Sequence, residues 1–201
     1  MTCASYLKMQ IAYRLVGFIL LSLHVTIAAG QTKFEKELRI RGEVVPRGAL
    51  TFIDSIPIKN KVKWYKEIGI NRTSIEAKTR FKGQRYSIEF SQDGKLEDVE
   101  IQIKWKNLPD EARSNITTHL KSIYSRYTID RIQIQYTGKT TSILAKLRDG
   151  KSSEAITTNY ELVIAVKVSK THKLYEYLFS ESGRFLQSVE IMTQNVDNIE
   201  F

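Results

Sequence analysis

The chain has 201 residues, 42% of them hydrophobic and 26% charged, enough apolar content for a buried core in one domain or in two small fused units. That composition excludes a disordered tail. The formal charge of +9 is modest and spread along the sequence, so charge alone names no partner.

Residues 1–30 read as a secretory signal peptide. Lys8 and Arg14 give a positive start, and Leu15 to Ala29 is an apolar run shorter than the roughly 20 residues of a spanning helix. Ala28-Ala29-Gly30 then offers small residues for cleavage before Gln31. Loss of the segment would take the formal charge from +9 to +7 and remove Cys3, the single cysteine. An exported chain without cysteine has no disulfide, no thiol nucleophile and no cysteine-ligated metal.

Two segments carry helix signals, each opened by a proline whose missing amide hydrogen costs nothing at a helix start. In "VPRGALTFIDSI" a stripe of Ala49, Leu50 and Ile53 is ended by Pro57. In "LPDEARSNITTHLKSIYSRY", Ala112, Ile116, Leu120, Ile123, Tyr124 and Tyr127 recur at three- and four-residue intervals, with acids first and bases last. Strands of period two follow each helix. The first set is Val62 to Trp64, then Ile75, Ala77, Thr79 and Phe81, then Tyr86, Ile88 and Phe90, then Val99, Ile101, Ile103 and Trp105. The second set is Ile132, Ile134 and Tyr136, then Tyr160 to Val168, then Tyr175, Tyr177 and Phe179, then Val189 and Ile191.

"RYSIEFSQDGKLEDVEI" has an echo in "LYEYLFSESGRFLQSVEI". Both read as hairpins turned at Asp93-Gly94 and Ser182-Gly183, and one extra residue between Gly183 and Val189 reads as a bulge. The expected fold is α+β: a tandem repeat of a helix plus a four-stranded antiparallel sheet, with helices packed on one face of a curved sheet. Residues 31–107 would form the first repeat and 108–201 the second, with an insertion at 138–156 read as a long loop holding a short helix.

Groups able to carry catalysis are few. Downstream of the leader the histidines are His119, at the edge of a helical stripe, and His172, in the turn "SKTHKL"; no HExxH, GxSxG or GxGxxG occurs. Glu97, Asp98 and Glu100 cluster, but Asp98 and Glu100 alternate with Val99 and Ile101, which reads as a solvated strand face rather than a glycosidase pair. Trp64 and Trp105 share the buried parity and basic residues alternate with acids, so no nucleic-acid groove is expected. No metal or cofactor is expected either. The sequons at Asn71 and Asn115 are short enough to arise by chance.

The polar face of the second half is less uniformly charged. Arg131, Gln133 and Gln135 are joined there by Val163, Ala165, Leu178 and Leu186. Such a face is either covered, by Ile143, Leu144 and Leu147 of the insertion, or used for binding with Tyr65, Arg131, Gln133 and Gln135 as polar neighbours.

"KVKWYKE", "SIEAKTRFKGQRYSIEFSQDGKLEDVEI", the "LP" helix start leading to "IYSRYTIDRIQIQYTG", and "LYEYLFSESGRFLQSVEI" together resemble the PepSY-like family of β-lactamase-inhibitor-like proteins exported by Bacteroidetes. The resemblance spans about Glu43 to Met192. It implies a periplasmic or secreted protein without enzymatic activity whose concave sheet face grips a partner. The leading expectation is an exported binding module for a protein or peptide, inhibitor-like or an envelope regulator, touching the membrane only through its export signal. The alternatives are a periplasmic carrier of a lipid, haem or glycan, with a cavity lined by Ile143, Leu147, Val163 and Leu178, and a carboxylate-dependent enzyme.

Overall fold

The computed structural model describes residues 32–70, 72–169 and 171–192. The expected leader lies outside them.

The alternating segments form antiparallel strands that pair in chain order: β3 (Lys63–Gly69), β4 (Thr73–Phe81), β5 (Gln84–Ser91), β6 (Leu96–Gln102), β7 (Thr128–Gly138), β8 (Ile156–Val168), β9 (Thr171–Ser180) and β10 (Phe185–Ile191). Two short strands precede them, β1 (Thr32–Lys33) and β2 (Glu35–Ile40). β2 pairs antiparallel with β3 from Glu35↔Gly69 to Ile40↔Trp64, while β1 pairs parallel with β10 through Thr32↔Glu190 and Lys33↔Ile191. Phe34 alone separates β1 from β2, so one extended segment pairs with both end strands of the sheet. The sheet therefore closes into a ring, although among the described residues β1 meets only Glu190 and Ile191 of β10 and the ladder does not extend back along Phe185 to Val189.

This overturns the expected tandem of four-stranded units. There is one ten-stranded mixed sheet, with three α-helices among the described residues. Its ladder runs without a break through the midpoint of the chain, where β6 and β7 pair from Val99↔Tyr136 to Gln102↔Gln133. A period-two pattern fixes which side chains share a face, but it does not say where a ladder stops.

The helices α1 (Arg47–Asp54), α2 (Asp110–Ile123) and α3 (Thr140–Asp149) all pack on the outer face. Ala49, Phe52 and Ile53 of α1 meet Trp64, Ala77, Ile88 and Phe90, and Phe52 and Phe90 stand edge to face at 5.6 Å. Ala112, Ile116 and Leu120 of α2 cover a second cluster with Ile132, Leu162, Ile164 and Phe179. The insertion helix α3 does not cover the polar face: its Ile143 and Leu147 join the first cluster on the outside. Ile123 was expected on the α2 stripe, but the helix ends there and Ile123 is 51% exposed. Trp105 was expected on a strand and lies in the 3-10 turn Trp105–Asn107. His119 stacks on Phe185 at 4.4 Å, consistent with a structural role, while His172 stands in β9 opposite Lys167 rather than in a turn.

Both hairpins turn on glycines with positive φ, Gly94 at +83° and Gly183 at +82°. Each also lies against the start of a helix. A Cβ on Gly183 would sit 2.5 Å from the Ala112 carbonyl oxygen, and Asn115 Nδ2 donates to the Ser182 carbonyl at 2.8 Å. The bulge in β10 is real: Phe185 pairs with Phe179 and Gln187 with Leu178, leaving Leu186 as the extra residue. It moves Val189 to the inner face, opposite Glu176, where the uninterrupted alternation had placed it in the core.

Gly183→Ala should lower stability by about 1–3 kcal/mol in urea denaturation, because it combines backbone strain with a clash. Gly150 has φ +73° and open space around its Cβ position, so Gly150→Ala should cost about 1 kcal/mol or less. Equal losses would show that the close approach to α2 is unimportant.

Candidate functional site

Because apolar side chains of β3 to β9 point outward to the helices, the alternate residues point into the ring. The ladder register places them in rows. Gln102, Gln133, Glu161, Leu178 and Gln187 form one row, and Arg131, Val163, Glu176 and Val189 form the next. On the other side of the ring Tyr65, Glu76, Glu89 and Asp98 stand in register. The interior holds two contiguous cavities of about 540 Å³ and 710 Å³, which share Lys33, Glu89, Asp98, Glu100 and Glu161 in their walls. Closure of a ring of nine strand positions, β1 and β2 being one segment, leaves this space, since side chains fill the centre of narrower barrels.

Several charges inside are paired. Lys33 Nζ lies 2.8 Å from Glu176, Lys78 Nζ 2.6 Å from Glu37 and 2.9 Å from Glu76, and Arg72 2.7 Å from Glu89 and 2.5 Å from Glu97. Glu37, Glu67 and Glu76 gather closely enough to suggest a cation site, but the Lys78 ammonium stands against two of them. Asp98, Glu100 and Glu161 stand beside these pairs, Asp98 near Arg72 and the other two near Lys33. Burial pushes Asp98 and Glu100 up to about 8, helped by neighbouring carboxylates, and Glu161 rises well above the carboxylate range for the same reasons. A side-chain hydrogen bond joins Glu161 and Glu100, and it raises Glu161 while lowering Glu100.

Amide side chains orient this trio. Gln133 Nε2 donates to Glu100 Oε2 at 2.5 Å, and Gln135 Nε2 lies 3.3 Å from Asp98 Oδ2. With its amino end committed, Gln133 directs Oε1 the other way; that atom is buried and has no hydrogen-bond partner, in a residue 7% exposed.

The residues singled out from the sequence divide as follows. Arg131, Gln133, Gln135, Val163 and Leu178 all stand on the inner face, Val163 at 4% exposure. Tyr65 shares that face, opposite Glu76 and beneath Lys78 Nζ at 5.1 Å. Leu186 stays apart, 41% exposed at the bulge. Asp98 and Glu100 were expected on a solvated strand face, and this is corrected: they point into the ring, while Glu97 remains partly exposed with Arg72. The apolar cavity of Ile143, Leu147, Val163 and Leu178 does not form, because the first two lie on the outer face. A glycosidase arrangement is not met by Glu100 and Glu161, whose direct hydrogen bond leaves less than the about 5 Å that even a retaining pair keeps open. Glu161, Glu176 and Lys33 escaped the sequence reading. The alternation of Glu161 with Leu162 carried the signal for the first of these.

No family model and no curated protein matches this chain. Among solved structures it is similar in fold to a DUF2874 family protein from Bacteroides ovatus, with TM-score 0.50 and 12% identity over 74% of this chain and 89% of that one. A DUF2874 family protein from Bacteroides uniformis gives 0.50 and 9%, over 73% and 89%. A BLIP-like protein from Bacteroides fragilis reaches 18% identity over 80% and 95%, at a TM-score of 0.45. The first two share the fold with this chain at identities too low to carry function, and membership in the PepSY-like family is not shown. Among the described residues no helix is long and apolar enough to cross a membrane.

The raised carboxyls bind protons more tightly in the folded chain than in the unfolded one. Their contribution is therefore complete below the ordinary carboxylate range near pH 4 and is lost as pH rises towards 8. Thermal unfolding should show Tm falling between pH 5 and 8.5, with a shallower fall in Glu161→Gln. An unchanged slope in that variant would mean that the cluster does not titrate as a unit.

Proposed function

We propose that this chain is an exported, non-enzymatic binding protein whose ligand enters the strand ring. The observation that carries the reading is the pair of contiguous cavities walled by hydrogen-bonding side chains, at the face where the sequence had suggested contact with a partner. Their size is that of small-molecule sites, about 300–1,000 Å³. A lipid or haem would meet carboxyl and amide groups rather than an apolar wall, so a hydrophilic ligand fits better. A protein gripping Val163 and Leu178, as an inhibitor-like module would require, could reach them only with the segment Thr32–Ile40 displaced. The leader read from the sequence supports a periplasmic or secreted location.

A thermal-shift panel of hydrophilic compounds, covering amines, sugars, amino acids and dicarboxylates, tests the reading. At least one class should raise Tm of the wild-type chain, and Gln135→Trp, which puts a bulky ring into the larger cavity, should reduce the shift. No stabilising class, or an equal shift in the filled variant, would refute it.

A further inference from the structure

The ring interior also constrains the charge of what it holds, if it is a ligand site as proposed above. Around the junction of the two cavities stand carboxyl groups, while the guanidinium groups of Arg85 and Arg131 line the first cavity only. Glu161, 6% exposed, and Glu100 present carboxyl oxygens, and Asp98 stands in the same walls. Gln133, in the wall of the first cavity, has its amino group held by Glu100, so its buried Oε1 is an acceptor without a partner. A buried acceptor left unpaired costs about 1–3 kcal/mol, which a ligand donor would recover.

We propose that the ring binds a ligand of the polyamine class, with one ammonium group seated against Glu100, Glu161 and Gln133 Oε1 and the chain extending into both cavities. An ammonium brings three N–H donors and a second positive charge beside that of Lys33. The fold already uses this chemistry next door: the Lys33 ammonium pairs with Glu176 and draws the charge of Glu100 and Glu161. A neutral polyol would supply donors but no charge. A quaternary ammonium has no N–H group and is recognised by aromatic faces instead, leaving Gln133 Oε1 unpaired. The trio stands in walls common to both cavities, which suits an elongated molecule with charges at intervals better than a compact one. The formal charge of the chain without its leader, +7, opposes the gathering of polycations on the surface.

The charges facing the trio are Glu89, Glu97 and Arg72 beside Asp98, Glu176 and Lys33 beside Glu100 and Glu161, and Arg85, Asp130 and Arg131 in the wall of the first cavity. Titration calorimetry is accordingly run at pH 8.5, above the values to which burial pushes Asp98 and Glu100, on the exported chain. Spermidine is the probe, with hexane-1,6-diol and calcium chloride as comparison ligands. Saturable spermidine binding is expected, weakened at least tenfold in Glu161→Gln and in Gln133→Leu, each checked for wild-type circular dichroism, with no heat from the diol. Should Glu161→Gln fail to fold, Gln133→Leu and the filled variant Gln135→Trp carry the test. Spermidine binding indifferent to all three variants would place it elsewhere and overturn the proposal. Binding of the diol or of calcium in preference to spermidine, lost in Gln135→Trp, would overturn the amine assignment while the ring remained a ligand site. Absence of binding by every probe here and by every compound of the hydrophilic panel would sink both readings.

Discussion

The structure depends on one segment doing two jobs. Thr32–Ile40 supplies a strand to β3 at one end of the sheet and to β10 at the other, with a single residue between. Each edge of the long antiparallel sheet would otherwise expose a row of amides and carbonyls. Joining them with one covalent stretch pairs β3 from Trp64 to Gly69 and β10 at Glu190 and Ile191, and bends the sheet so that one face becomes an interior. Few apolar contacts hold the segment: Ile40 packs against the first cluster, while Leu38 is 40% exposed. Backbone pairing and the ion pairs Lys33–Glu176 and Lys78–Glu37 hold the rest.

Closure explains why carboxyl groups inside behave differently from those outside. On an open sheet Asp98, Glu100 and Glu161 would be hydrated and ionised. Within the ring they lose part of their water, and each also feels the charge of the next, so all three are pushed above the carboxylate range. This concentration of buried acid opposes folding at neutral pH and above. The two hydrophobic clusters on the outer face offset it, with Ile88, Phe90, Ile116, Leu120, Leu162 and Phe179 buried completely. Stability is thus built outside the ring, and the interior is left free for polar chemistry.

Much of the outer architecture was legible in the sequence. The stripe of Ala112, Ile116 and Leu120 gave α2, the alternation from Ile75 to Ile101 gave three strands in correct parity, and the glycine turns gave the hairpins. These are local signals, set by side chains within one element. Closure is different in kind. "TKFEKELRI" is short and charged, with only Leu38 and Ile40 alternating, and its role appears only when β3 and β10 are brought near each other by the curvature of the whole sheet. The same limit produced the error at Asp98 and Glu100: parity identified the face they occupy, but whether that face meets water is a property of the ring. Val189 failed for a local reason, since the bulge at Leu186 reverses the parity after it.

The account can be tested most directly by asking whether both ends of the Thr32–Ile40 segment are docked in the same molecule. Cysteine pairs placed at Thr32 with Glu190, and at Leu38 with Lys66, report the two seams separately, and all four residues are Cα partners in the ladders. Mild oxidation of the four-cysteine chain should give two intramolecular disulfides in a monomer, read by non-reducing electrophoresis and peptide mass mapping. A chain that forms only one of the two, or that links β1 of one copy to β10 of another, would show that the sheet is open and that its inner face is not an interior.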